Sequence, residues 1–314
     1  MNKRERMQCI LEGKMPDRPA TCFWHHFGPL SPEETVAQHV KFFRDTDVDI
    51  VKMMCDEFFT YPMRGAETPE QMMQLTPVGR DDYYVQGQAE RAAQVREAIN
   101  NEAIIIYNAF SPYATLKHTI GDFETTQLLR EHTEVALHLL DIICEDTCCI
   151  IDEVLGKGGA TGMLLSVMGA EEGKFTKEEY LAWIRPTEEK VIAHAESLSG
   201  ANMLHMCGWD GIKNRLDWWK DYSPRMVSWA AHIEGVNPQQ ARELFKGKVL
   251  VGGFDNRAGA VINTGSEEEV KAYARRIVKW AGKEELVLGA DCSLPDDIDH
   301  KRVRWIVEAL DEMA

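Results

Sequence analysis

The feature that most constrains this chain is an eightfold alternation. Short β-like runs occur at residues 20–27, 49–55, 103–110, 160–168, 202–208, 225–231, 248–253 and 285–291, most of them followed by a helix-like stretch. Several are nearly continuously apolar, such as Ile104-Ile-Ile-Tyr107 and Val249-Leu-Val251. Parallel strands covered on both faces read this way, whereas a strand with one wet face alternates. Helix starts carry their own signals. Ser266 with Glu269 and Thr176 with Glu179 have the spacing of a capping box, predicting helices over 266–280 and 176–197. The fold expected is α/β, a single (β/α)8 TIM barrel over residues 1–314, with an extra N-terminal helix and lid-like insertions. Residues 110–160 are too many for one crossover helix, and residues 56–88 are too many for a plain loop, so the latter are expected to form a lid or an extra helical turn over the barrel mouth.

Composition removes several classes of partner. A net charge of −16 disfavours a phosphate-backbone ligand, so no nucleic acid is expected. No run of roughly 18 apolar residues offers a membrane span. The opening Met1-Asn-Lys-Arg-Glu-Arg-Met-Gln8 lacks the apolar stretch of a signal peptide. The eight cysteines are too sparse for a disulfide scaffold: Cys9, Cys22 and Cys55 are isolated, while Cys144, Cys148 and Cys149 crowd one helix pattern. A reducing cytoplasm is the expected location.

Barrel chemistry gathers at the C-terminal ends of the strands. Those ends carry His25 and His26; Asp56 and Glu57; Asn108 and Ser111; Met168; His205 and Cys207; Trp229 and His232; Asp255 and Asn256; Asp291 and Cys292. Strand alternation puts His205 and Cys207 on one face with Met206 turned away. A thiol from the eighth strand completes a His205, Cys207, Cys292 set, which suits Zn2+ and leaves one coordination position open. Asp255, His232, Glu234, Asp56, water or substrate are the candidates for that position.

The remaining candidates each keep two roles. His25 and His26 face opposite ways, so at most one points inward, as acid, base or donor; the other role is a buried, satisfied histidine. Asp56 orients substrate or caps a helix. Asp255, in Gly252-Gly-Phe-Asp-Asn256, approaches a ligand or caps the next helix. The aromatics Trp24, Tyr107 and Trp229, with Phe58, Phe59, Tyr61, Tyr83, Tyr84 and Tyr113, line a flat apolar pocket or belong to the core. The Cys144, Cys148, Cys149 group reads as core packing. Gly156-Lys-Gly-Gly159 precedes a strand instead of opening a helix, which is the wrong order for a phosphate loop.

With these residues assembled, the chain resembles the uroporphyrinogen decarboxylase superfamily. The resemblance rests on Lys3-Arg-Glu-Arg6, Pro16-Asp-Arg-Pro19, Ser111-Pro-Tyr113, residues 171–183 with Arg185-Pro186, Val251-Gly-Gly-Phe-Asp255 and Gly289-Ala-Asp-Cys-Ser-Leu-Pro295. In the decarboxylase branch a second arginine helps bind the substrate's carboxylates, and that position falls on His25 here. Losing such a bidentate contact disfavours decarboxylation. The other branch, zinc-dependent methyltransferases working with corrinoid proteins, has a motif similar to His205-x-Cys207…Cys292. The resemblance then implies Zn2+ as cofactor, a cobalamin carried by a separate corrinoid-binding protein, and a small-molecule methyl donor or acceptor such as a thiol or a methoxylated compound. No Asp-x-His-x-x-Gly cobalamin motif occurs in the chain, in keeping with a separate carrier. Catalytic work is expected of His25, His26 and Asp56, substrate contact of Trp24, Tyr107, Trp229 and Asp255. The alternatives are a decarboxylase-like lyase acting on a tetrapyrrole and a barrel that binds a corrinoid or small molecule without catalysis.

Overall fold

The apolar runs form strands, each shorter than its run. In the computed structural model, which describes residues 1–28, 30–208 and 210–314, the strands are Ala20–Cys22 (β1), Ile50–Met53 (β2), Ile104–Phe110 (β3), Gly162–Val167 (β4), Met203–Met206 (β5), Met226–Trp229 (β6), Val249–Phe254 (β7) and Leu286–Ala290 (β8). All are parallel, in the order β1-β8-β7-β6-β5-β4-β3-β2, so the sheet curls into a nearly closed (β/α)8 barrel. The seam falls between β1 and β2 and is stitched by Asp49. Its backbone N–H donates to Thr21 O at 3.1 Å, and its carboxylate accepts from the Thr21 N–H at 2.9 Å.

Side-chain parity fills the barrel in layers. Ile50, Ile106, Leu164, Met203 and Met226 form part of one buried apolar cluster. Two residues further along the same strands the inward position turns polar: Lys52, Asn108, Ser166, His205 and Ser228, all buried. An apolar floor therefore carries a polar layer facing the C-terminal mouth. The N-terminal helix Lys3–Leu11 closes the opposite end, where Met7 and Ile10 join the interior cluster. Its start is fixed by the capping box of Asn2 and Glu5.

Helices Pro112–Ile120, Asp122–Glu131 and Thr133–Gly156 occupy the long stretch between β3 and β4. The helix expected over 176–197 is two, Lys177–Trp183 and Arg185–Leu198. Pro186 lacks an N–H to continue the first helix and fits the opening turn of the second. Residues 56–88 contain a 3-10 turn, Asp56–Phe58, and a short helix, Pro69–Met72, before the helix Tyr83–Ala98 begins. Much of this insertion is tied to the helix Thr133–Gly156. Asp146 accepts from the Tyr61 hydroxyl at 2.6 Å and from the N–H groups of Val78 and Gly79 at 2.8 and 2.9 Å. Phe59, at its start, reaches the mouth.

Candidate metal centre

His205 is fixed before anything binds to it. Its Nδ1 lies 3.1 Å from Ser228 Oγ on the adjacent strand, which turns Nε2 toward Cys292 Sγ at 3.7 Å. With Nδ1 donating to the serine, Nε2 keeps its lone pair for a metal. The ligand atoms of His205, Cys207 and Cys292 all lie within 4.8 Å of one another, and the three residues are buried. Tetrahedral zinc holding sulfur and nitrogen spaces its ligand atoms roughly 3.5–3.8 Å apart, so this donor set fits the ion. A hydrogen bond from Cys207, joined by His205, holds the Cys292 thiol well below the usual thiol range, against the opposing effect of burial. Asn214 Nδ2 donates to the Cys207 carbonyl at 3.1 Å and to Glu234 Oε1 at 2.9 Å, anchoring the loop after β5.

The three ligands border a cavity of about 310 Å3 at the C-terminal mouth. Trp24, Met54, Phe59, Phe110 and Met168 give it apolar walls, while His26, Lys52, Asn108, His118, Ser166 and Ser293 supply polar groups. Cys292, Ser293 and His26 also border a neighbouring cavity of about 440 Å3 that includes Asn256 and Arg257. The metal candidates thus stand between two spaces.

His26 links the cavity to a carboxylate. Its Nδ1 donates to Asp56 Oδ1 at 2.8 Å, and its Nε2 lies 3.1 Å from Ser293 Oγ. Asp56 Oδ2 accepts from the Phe27 N–H at 2.8 Å. Burial pushes the Asp56 pKa up, but the bonds from His26 and Phe27 outweigh it and the net direction is down. Lys52 has no ion pair among the described residues. Its Nζ stands 4.2 Å from the Trp24 ring centroid, and Trp24 meets His205 edge-on at 5.8 Å. Desolvation pushes the Lys52 pKa down; Cys292, Cys22, Cys55 and Cys207 offset part of this, and the net direction is down.

Four expected site residues lie elsewhere. His25 turns to the helices, with Nδ1 2.8 Å from His26 O and its ring against Phe27, Phe42 and His300. His25 therefore does not border the cavity; of the adjacent pair it is His26 that faces it, since Cys22 and Trp24 set the inward parity. Tyr107 donates to Gln88 Oε1 at 2.6 Å, and Trp229 Nε1 donates to Val236 O at 2.7 Å, so both face the outer layer. They have the opposite parity to Ile106 and Ser228. Asp255 is clamped by Arg257, with contacts of 2.7 to 3.1 Å, and belongs to a separate group with His232 and Asp291. Gly253, before it, serves packing: a Cβ there would press on Ile277 at 3.1 Å. None of Asp255, His232, Glu234 and Asp56 joins the His205 group.

Lys52, His118, Ser228 and Ser293 did not emerge as site residues from the sequence. Lys52 lay inside an expected strand, and alternation gives it the parity of Ile50 and Met54 without saying whether that parity faces inward. Ser293 adjoins Cys292. Nothing local marks His118, which a helix brings in from the side.

Fold and site together define a class: a (β/α)8 barrel with a buried His-Cys-Cys set at its C-terminal mouth. Among solved structures the chain is similar to a methyltransferase from Methanosarcina mazei, at TM-score 0.79 and 15% identity over 99% of both chains. It is similar to a putative vitamin-B12 independent methionine synthase from Listeria monocytogenes at TM-score 0.58 and 11% identity, covering 94% of this chain and 96% of that one. A β-1,4-mannanase from the sea hare Aplysia kurodai matches at TM-score 0.54 and 8% identity, over 91% and 92%. At these identities the likeness is one of fold. No protein-family model matches the chain, and no curated protein matches it.

Proposed function

We propose that the chain is a zinc-dependent methyltransferase of the uroporphyrinogen decarboxylase superfamily. It moves a methyl group between a corrinoid on a separate protein and a small molecule held in the 310 Å3 cavity. The observation that carries this reading is the convergence of His205, Cys207 and Cys292 within 4.8 Å at the mouth. A solved methyltransferase of similar fold agrees with it.

His205, Cys207 and Cys292 would hold the metal. When bound there, zinc supplies a Lewis acid that lowers the pKa of a coordinated thiol and polarises a methyl-bearing atom. Ser228 keeps the His205 ring in its ligating orientation. The apolar walls, Met54, Phe59, Phe110 and Met168, exclude water from the reacting atoms. His26 accepts a proton released by an incoming thiol through the Ser293 hydroxyl, and Asp56 stabilises the resulting imidazolium. A tetrapyrrole lyase is the weaker reading, because no arginine is present among the described residues lining the cavity to receive a polycarboxylate.

Metal analysis of the purified chain tests the reading. One tightly bound zinc per chain is expected, lost in Cys207→Ser and in Cys292→Ser, with the fold retained by circular dichroism. Methyl transfer from methylcobalamin to a panel of thiols, followed by the cob(I)alamin spectrum, separates an enzyme from a binder. A metal-free protein indifferent to both substitutions would remove the proposal.

A further inference from the structure

The metal ligands, the His26 relay and the apolar walls leave one charged group in the cavity without a task. Lys52 is 6% exposed, deep inside the barrel, and has neither hydrogen bond nor ion pair among the described residues. Its recorded contact is the face of Trp24. No carboxylate and no second lysine or arginine is present among the described residues lining the cavity. A buried ammonium without an anion costs several kcal/mol, and a methionine of similar length would fill the same space without that cost. Trp24 adds a second unanswered donor, since its buried Nε1 has no hydrogen-bond partner. Two donors therefore border the metal candidates, and the anions within reach of Lys52 are cysteine thiolates, two of which a bound divalent ion would claim.

Counting charge turns this into a statement about ligands. Two thiolates, Cys207 and Cys292, balance a divalent ion, and the His205 imidazole adds nothing. The Lys52 ammonium then leaves one positive charge in a space shielded from water, where charge interactions are strong. Resting on the metal-centre reading above, we infer that Lys52 is a specificity-determining residue that makes the loaded centre take an anionic fourth ligand, a thiolate or carboxylate. Cationic methyl donors such as methylammonium compounds are turned away by the same charge. Methoxylated neutral compounds gain nothing from it.

The test uses the full chain loaded with Co2+, whose thiolate-to-metal absorption reports ligation without turnover. Azide serves as the anionic probe and pyridine as the neutral one. Lys52→Met is expected to lose azide affinity about tenfold or more, with pyridine affinity nearly unchanged, as removal of one buried charge requires. Lys52→Arg should keep most of the azide affinity, and Lys52→Gln, a second uncharged variant, should behave as Lys52→Met. Lys52→Met should also melt no lower than the wild type, which a purely structural lysine would not allow. Wild-type azide affinity in both uncharged variants would overturn the inference while leaving the metal centre intact. Absence of the thiolate-to-cobalt band in the wild type would overturn both.

Discussion

The two ends of the barrel treat buried charge in opposite ways. At the N-terminal end Asp49 is fully buried and two buried arginines answer it. Arg6 donates to one oxygen, while Arg18, at 2.8 Å, and Thr21 donate to the other. Arg18 reaches on to Asp311, and Arg6 to Asp17. At the C-terminal mouth the reverse holds: Lys52 meets the Trp24 face with no hydrogen bond or ion pair among the described residues, one oxygen of Asp291 has no hydrogen-bond partner there, and three soft ligands aim at one point. One end closes the β1–β2 seam, and the other leaves bonding capacity for something that arrives. That division is the one barrels make between stability and chemistry. It also explains two segments behind the family resemblance. Lys3-Arg-Glu-Arg6 and Pro16-Asp-Arg-Pro19 supply Arg6, Asp17 and Arg18, and so belong to the closing end.

The sharpest way to break this contrast is Asp49→Ala. It takes the buried carboxylate away from two guanidinium groups, leaving Arg6 only Asp17 and Arg18 only Asp311 as anions, and opens the seam, so stability should fall by about 3–5 kcal/mol in denaturant unfolding. Metal content per folded chain should not change. A stable Asp49→Ala protein that has lost its metal would dissolve the distinction between the ends.

A buried charge on the barrel's flank sharpens it. Glu188, on the helix Arg185–Leu198, accepts from the Tyr180 and Tyr222 hydroxyls at 2.6 and 2.8 Å, yet its second oxygen has no partner. Desolvation raises its pKa to about 7, against those hydrogen bonds. A carboxyl whose folded pKa is raised favours folding most when protonated. Its contribution is complete below its ordinary pKa of 4.5 and is lost as pH rises through about 7. The loss is on the order of 3 kcal/mol, and Glu188→Gln should abolish it. Melting temperature measured across that window for both proteins checks this; parallel curves would refute it.

The smallest effect expected is on the mouth's relay. Asp56→Asn removes the carboxylate that orients His26 and should lower methyl transfer to a thiol roughly a hundredfold, with zinc content and melting temperature nearly unchanged. Loss of zinc or of several degrees of stability would show that Asp56 holds the fold instead.

Much of this protein is legible without coordinates. Eight apolar runs, two capping boxes and the long stretch between the third and fourth strands were enough for the barrel and its added helices. The period of two along a strand placed His205 and Cys207 together, because their parity relation is local. What the sequence could not say is which parity faces inward. Strands of a barrel are buried on both faces, so Ile105 and Ile106, or Tyr107 and Asn108, carry no polar contrast to mark inside from outside. Tyr107, Trp229 and His25 were misplaced for that reason. Only tertiary structure settles it, by closing the sheet and choosing the face that Lys52, Ser166, His205 and Ser228 share. The meeting of β5 with β8 is likewise a product of closure, and it is what turns three distant residues into one site.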